Sequence, residues 1–242
     1  YGTDFRLCVA WAKLAASLTA HSKHFLIVCD DPWLFREIAD QEQVSATPPP
    51  RLGKERLRLR MRGVLARLRN AIRLAGAWSA LRRQRRRLPT GRPSIIVYGH
   101  PGSDADGKDA YFGDLMAHEP DLVRLLHTDC APALAIELSG DRTASLHAWG
   151  GPFLALGLAT TTWRPRISED MDHRYLVARA VEIENSGAGP MMTRWQATCQ
   201  DRWVRDKKPT IVVWPWENFA WERALCRLAK REKLPSVGYQ HT

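Results

Sequence analysis

The pattern of apolar positions alternates between helical and strand-like periods along the chain. Residues 5–20 (FRLCVAWAKLAASLTA) repeat apolar side chains at helical spacing. Residues 24–29 (HFLIVC) form a short apolar run, and Asp30-Asp31-Pro32 behind it gives a strand-then-turn signal. A short helix is expected at about 32–40, and Thr47-Pro48-Pro49-Pro50 breaks the chain. Within 51–92, Leu57, Met61, Val64, Leu65, Leu68, Ile72 and Trp78 fall on one helical face, which predicts one long amphipathic helix or two shorter ones. Residues 94–99 (SIIVYG) read as a strand, 101–109 as a polar loop and 110–118 as a helix. Between 121 and 138 a strand is expected at either 122–127 or 133–138, and the pattern leaves both open. Helices are expected at 152–162, at 172–185 with Asp172 as N-cap, and at 191–206. The tail is the clearest stretch: a buried strand at 209–214, a loop at 215–218, a helix at 219–233 ended by Pro235, and a strand at 236–240. Strand, helix, strand in so short a span predicts a parallel pair with a right-handed crossover.

These elements predict an α/β fold, a Rossmann-like parallel sheet flanked by helices. It occupies residues 1–242 as one domain, with 51–92 as a basic helical insertion. The chain has 242 residues, of which 45% are hydrophobic, enough for a real core. Ten residues are tryptophan, a residue that more often fills cores and interfaces than active sites. The five cysteines are scattered without a CxxC pair, which argues against a disulfide framework or a zinc site and fits a reducing cytosol. No signal peptide is visible and no apolar run is long enough to span a membrane. The chain opens on Tyr1 and closes on Thr242 directly after an apolar run, and it reads as a fragment of a longer protein or a trimmed form of a nearly complete one.

Charge is concentrated. Residues 51–92 hold fifteen Lys and Arg against Glu55 alone, a local +14 in a chain whose total is +10. The basic character therefore belongs to one segment, with Arg82, Arg83, Arg85, Arg86 and Arg87 as its densest run. Three readings stay open for it. It is a solvated helix packed on its apolar face, or a membrane-surface helix with its arginines among anionic headgroups and Trp78 inserted, or a nucleic-acid-binding surface. The last of these fits least well.

In a parallel α/β sheet, ligands bind outside the carboxyl ends of the strands. That rule selects Asp30 and Asp31, His100, Glu217 with Asn218, and His241 as residues of one edge. Carboxylates there serve acid–base work, and imidazoles serve hydroxyls or phosphate. Glu217 stands before a helix whose dipole stabilises its anion, and it either acts chemically or only caps that helix. His241 either points into the same cleft or is a solvated histidine. The loop Asp104-Ala105-Asp106-Gly107-Lys108-Asp109 fails the calcium-loop spacing, because position 12 is Leu115, and reads as a polar turn. No GxxxxGK[ST] or GxGxxG occurs, and no metal site or tightly bound cofactor is expected.

The tail carries a resemblance. Trp214-Pro215-Trp216-Glu217-Asn218, Trp221-Glu222-Arg223-Ala224-Leu225 and Val237-Gly238-Tyr239-Gln240-His241 resemble the P-x-E-N-x-x-W-E-x-A-L … G-Y-Q-H segment of bacterial surface-carbohydrate biosynthesis proteins. Those proteins are similar to GT-B glycosyltransferases acting on O-antigen and capsule. Tyr98 through Leu115, with Asp109-Ala110-Tyr111-Phe112-Gly113-Asp114-Leu115, resembles an upstream segment of that family more weakly. The resemblance implies the N-terminal half of a GT-B-like fold, with the nucleotide-sugar domain outside this chain. It implies transfer from a nucleotide-sugar donor to a surface polysaccharide or lipid-linked glycan. Glu217 and His241 would be catalytic, and Asp30, Asp31, His100, Asn218 and Gln240 would line the substrate. The location implied is cytoplasmic, peripheral on the inner face of the membrane. The rival expectation is a non-catalytic membrane- or nucleic-acid-binding module built on the basic helix.

Overall fold

The computed structural model describes residues 3–21, 26–162, 166–168 and 170–240. In chain order the elements begin with α1 (Phe5–His21), α2 (Pro32–Ala39), α3 (Gly53–Leu81) and α4 (Gln84–Arg87). Then follow β1 (Ser94–Val97), α5 (Leu115–His118), β2 (Val123–Leu126), α6 (Pro132–Glu137) and β3 (Thr143–Ser145). A 3-10 turn (Leu146–Trp149) leads to α7 (Pro152–Leu158), α8 (Arg174–Ser186) and α9 (Gly189–Lys207). The tail is β4 (Val212–Pro215), α10 (Ala220–Glu232) and β5 (Ser236–Tyr239). Among the described residues no helix is long and apolar enough to cross a membrane.

The chain divides into two compact units, residues 1–67 with 161–190, and residues 68–160 with 191–242. The second unit holds the whole sheet. Its five strands are all parallel, in the order β3-β2-β1-β4-β5. This is an α/β fold of Rossmann-like type, as the sequence predicts. β1 lies at the centre, and all four of its residues are buried, as a strand covered on both faces requires. Period-2 alternation sends Ile96, Leu125, Val212 and Trp214 into one core, where they meet Leu74 of α3, Trp195 and Trp203 of α9, and Leu225 of α10. Ile95, Val97 and Leu126 point the other way, toward Leu81, Met116, Ala135 and Leu138. The tryptophan-rich composition is thus explained mainly by core filling, with Trp149, Trp195, Trp203 and Trp214 almost fully buried.

The first unit is helical. Cys8 and Ala12 of α1 pack with Leu176 of α8, and Phe5, Val9 and Leu34 complete this small core. α8 crosses α3 at Gly63, where an added Cβ would strike the backbone of Ser186. Ion pairs tie α2 to α8: Arg179 with Asp31 at 2.6 Å, and Arg174 with Asp40 at 3.0 Å. His173 Nδ1 lies 2.8 Å from Glu37.

Several expectations change. Residues 26–29 form no strand; Leu26 and Val28 are 88% and 87% exposed, so this apolar run has no sheet to join. Residues 24 and 25 lie outside the described residues. Of the two strand options, 123–126 is the strand, while 132–137 is a helix begun by Pro132 at its first turn. β3, three residues with little apolar signal, was not foreseen. α8 starts at Arg174, after His173 in a left-handed conformation, so Asp172 is not its N-cap. The basic segment resolves into α3 and α4.

Candidate functional site

In the order β3-β2-β1-β4-β5, the chain leaves β1 toward β2 on one side and returns to β4 on the other. The reversal lies between β1 and β4, and the crevice outside the carboxyl ends of those two strands is where such sheets bind ligands. The loop after β1 brings Tyr98 and His100 there. The loop after β4 brings Trp216, Glu217 and Asn218, and α10 adds Trp221 and Glu222.

An aromatic cluster forms the floor. Tyr98 accepts a hydrogen bond from Trp221 Nε1 at 3.0 Å. The His127 ring, just past β2, stands 4.8 Å from both the Tyr98 and Trp221 rings. His127 is buried, its Nδ1 accepts from the Asp129 backbone N–H at 3.1 Å, and its Nε2 has no partner among the described residues. Burial lowers its pKa to about 3, with the neighbouring His147 adding to the effect, so it is neutral at physiological pH. His147 is lowered to about 4, again chiefly by burial. It is held between Trp195 Nε1–H, which donates to its Nδ1 at 3.1 Å, and the Thr128 carbonyl, which accepts from its Nε2 at 2.9 Å.

Glu217 is exposed at the rim. Its charge adds to burial in raising the pKa of Tyr98 and Tyr111. Its own side chain does not cap α10; the N-cap residue is Phe219, without a side-chain cap. The capping role belongs instead to Glu222. This carboxylate is 0% exposed, and one oxygen accepts from the Glu217 backbone N–H at 3.0 Å while the other has no partner among the described residues. The arrangement is close to a capping box, in which a glutamate at the third helical position reaches back over the helix start. Asn218 takes a left-handed backbone conformation at φ 65°, tolerated by asparagine, and accepts from Arg223 at 2.9 Å.

The tail motif thus acquires physical reasons. Gly238 of β5 lies under the Trp216 ring, and a Cβ there would come within 2.9 Å of it. The Trp216 N–H bonds to the Tyr239 carbonyl at 2.7 Å, so the loop after β4 is fixed to β5. Comparison of the chain with family models, curated proteins and solved structures finds no match.

The structure brings His100, Glu217 and Asn218 to the carboxyl edge, with Gln240 just past β5. His100 is exposed and its Nδ1 accepts from the Gly102 N–H at 2.9 Å. His241 lies outside the described residues. The strand-end argument for Asp30 and Asp31 lapses, because residues 26–29 before them form no strand, and both belong to the other compact unit. Asp31 has a structural task there: it caps α2 through the Trp33 and Leu34 N–H groups and pairs with Arg179. Tyr98, His127, Trp221 and Glu222 are the edge residues that strand-end reasoning did not single out. Glu222 was visible as an acid in the first turn of a predicted helix.

The polar loop after β1 is built around a buried ion pair. Arg124 of β2 and Asp109 approach to 3.7 Å, both side chains fully buried. The guanidinium donates to the carbonyls of Asp104 and Lys108 at 2.6 and 3.0 Å, and Asp109 accepts from the N–H groups of Tyr111 and Phe112. Asp104 accepts from the Gly107 and Lys108 N–H groups, as a polar turn should. Among the described residues no group of three or more His, Cys, Asp or Glu could hold a metal ion.

Of the basic run, Arg82, Arg83, Arg85 and Arg86 line one cavity with Trp78. Arg87 is exposed and is not part of that lining. Trp78 is half-buried and packs against the core, and the Arg82 guanidinium lies over its ring at 5.2 Å.

Proposed function

We propose that the sheet-bearing unit is the N-terminal half of a GT-B-like glycosyltransferase. It would move a sugar from a nucleotide-sugar donor to a surface polysaccharide or lipid-linked glycan, at the cytoplasmic face of a membrane. The observation that carries this reading is Glu217, exposed in the loop after β4 at the β1–β4 reversal, with its backbone N–H held by buried Glu222. The resemblance of the tail supplies the chemistry. Glu217 serves as general base or acceptor-positioning carboxylate. His100 and His241 hydrogen-bond acceptor hydroxyls or phosphate, and Asn218 and Gln240 complete the substrate rim. The donor contacts belong to a second Rossmann-like domain beyond these residues, and the protein holds no tight cofactor of its own.

The test is turnover of a panel of nucleotide sugars by the natural protein that carries this chain, compared with its Glu217→Gln variant. General-base loss should lower turnover about 100-fold or more, with the melting temperature unchanged because Glu217 is exposed. A variant of near-full activity removes Glu217 from the mechanism, and a wild-type protein that turns over no donor removes the reading.

A second reading concerns recruitment. Leu57, Leu65 and Ile72 on one face of α3 are 62%, 66% and 76% exposed, between flanking arginines. An exposed apolar stripe bordered by arginine suits the headgroup layer of an anionic membrane. Nucleic acid is the less favoured partner, because such a stripe contributes nothing to phosphate neutralisation.

A further inference from the structure

The arginine-lined cavity at the α3–α4 junction is separate from the β1–β4 crevice, and none of its residues is used by the proposed transfer site. It measures about 570 Å³ and is lined by Trp78, Arg82, Arg83, Arg85, Arg86 and Ala148. That volume lies within the range of small-ligand sites. Four guanidiniums sharing one cavity repel one another unless anions face them. One carboxylate does so: Asp206 pairs with Arg85 at 3.2 Å and also accepts from Trp149 Nε1 at 2.9 Å. Arg82 is positioned by stacking on Trp78. Arg83 and Arg86 are exposed and have no carboxylate within ion-pair distance among the described residues. Four positive charges less one leave the cavity with an excess of three.

We propose that this cavity is a binding site for a diphosphate group. A single phosphate carries roughly −1.5 to −2 near neutral pH. In a diphosphate with one substituted end the inner phosphate carries about −1 and the terminal one roughly −1.5 to −2, about −3 in all, which matches the excess. Guanidinium forks suit phosphate oxygens because each offers two parallel donors. The half-buried Trp78 ring supplies an apolar wall for whatever group the diphosphate bears. The proposal does not rest on the sugar-transfer reading. The diphosphate belongs either to a soluble molecule or to a lipid headgroup, and the chemistry of capture is the same.

The test is titration of the full 242-residue chain with inorganic pyrophosphate by calorimetry, at two salt concentrations. The variant Arg83→Gln/Arg86→Gln removes two charges from the cavity. The control Arg60→Gln/Arg69→Gln removes two from exposed positions of α3 outside it. All three proteins should melt alike, since the four substituted arginines are exposed. Saturable binding that weakens at least tenfold in the cavity variant, and less than twofold in the control, supports the site. Absence of saturable binding overturns it, and so does equal weakening in both variants, which would mean diffuse attraction. Sedimentation with phosphatidylcholine vesicles doped with diacylglycerol diphosphate then separates the sources. Vesicle binding that is lost in the cavity variant and displaced by pyrophosphate identifies a headgroup. Pyrophosphate binding with no such vesicle dependence identifies a soluble diphosphate.

Discussion

Glu222 is the residue on which the geometry of the candidate edge most depends. It is fully buried, and it fixes the backbone of Glu217. Glu222→Ala leaves the Glu217 N–H without its acceptor and opens space under the loop, so a loss of about 1–3 kcal/mol is expected in urea denaturation. Glu222→Gln keeps an acceptor of the same shape and should lose less. Equal losses in the two variants would show that the carboxylate, not the hydrogen bond, matters. The two buried histidines make a second prediction at this scale. In the unfolded chain both imidazoles titrate near the ordinary value of about 6.5, whereas folding lowers them to about 3 for His127 and about 4 for His147. The unfolded state therefore binds more protons below about pH 6.5. Their contribution is complete above that pH and is lost as pH falls from it toward 4 and then 3, at up to about 1.4 kcal/mol per pH unit for each ring. His147→Gln should flatten the fall in stability between about pH 6.5 and 4.5 relative to the unmodified chain. Parallel curves for the two proteins would refute this assignment.

At the scale of elements, α3 joins two kinds of surface in one helix. Its exposed stripe includes Leu57, Leu65 and Ile72, and its buried positions include Leu74, Ala77 and Leu81. Replacing Leu57 or Leu65 by serine should change stability by no more than about 0.5 kcal/mol. Leu74→Ala should cost about 2–5 kcal/mol, because it removes a buried side chain and leaves a cavity. The serine variants should at the same time lose sedimentation with phosphatidylglycerol vesicles; retained sedimentation would remove the stripe from any membrane role. This helix also shows what a sequence can convey. Its amphipathic face is legible from spacing, but spacing does not say whether that face meets protein or solvent. The central strands are legible because burial on both faces demands an unbroken apolar run, as in Ile95-Ile96-Val97 and Val212-Val213-Trp214. Residues 26–29 carry a similar run but form no strand, so local pattern alone misassigned them, and the strand-end argument built on them for Asp30 and Asp31 falls with it. β3 was missed because three residues of Thr-Ala-Ser offer no run at all; it exists through parallel pairing with β2. Glu217, Asn218 and His100 were found because they follow the strands directly. Tyr98, His127, Trp221 and Glu222 contribute through contacts between segments distant in sequence, which no local signal encodes.

On the scale of the whole molecule, the two compact units are held by different physics. The sheet-bearing unit has an extensive apolar core on each face of its sheet. Among its described residues the helical unit has a small clustered core, Cys8, Ala12 and Leu176 with Phe5, Val9 and Leu34 packed on it, and Trp33 and Ile38 are buried beside it; ion pairs add to it, Asp31 with Arg179, Asp40 with Arg174 and Glu182 with Arg56. Exposed ion pairs contribute about 0–1 kcal/mol each, and at about 1 M salt the screening length shrinks to roughly 3 Å. Local opening free energy follows the buried apolar contacts that opening must break. Amides of α1, α2 and α8 should therefore exchange with solvent through smaller openings than those of β1, β2 and β4. Raising salt should accelerate exchange in the three helices more than in the central strands, because the strands rest on apolar burial that salt does not screen. Hydrogen exchange read by mass spectrometry at low and high salt measures both effects. Uniform protection would mean that the two units open as one cooperative body. Preferential helix opening that ignores salt would assign the difference to core size alone and remove the ion pairs from the account.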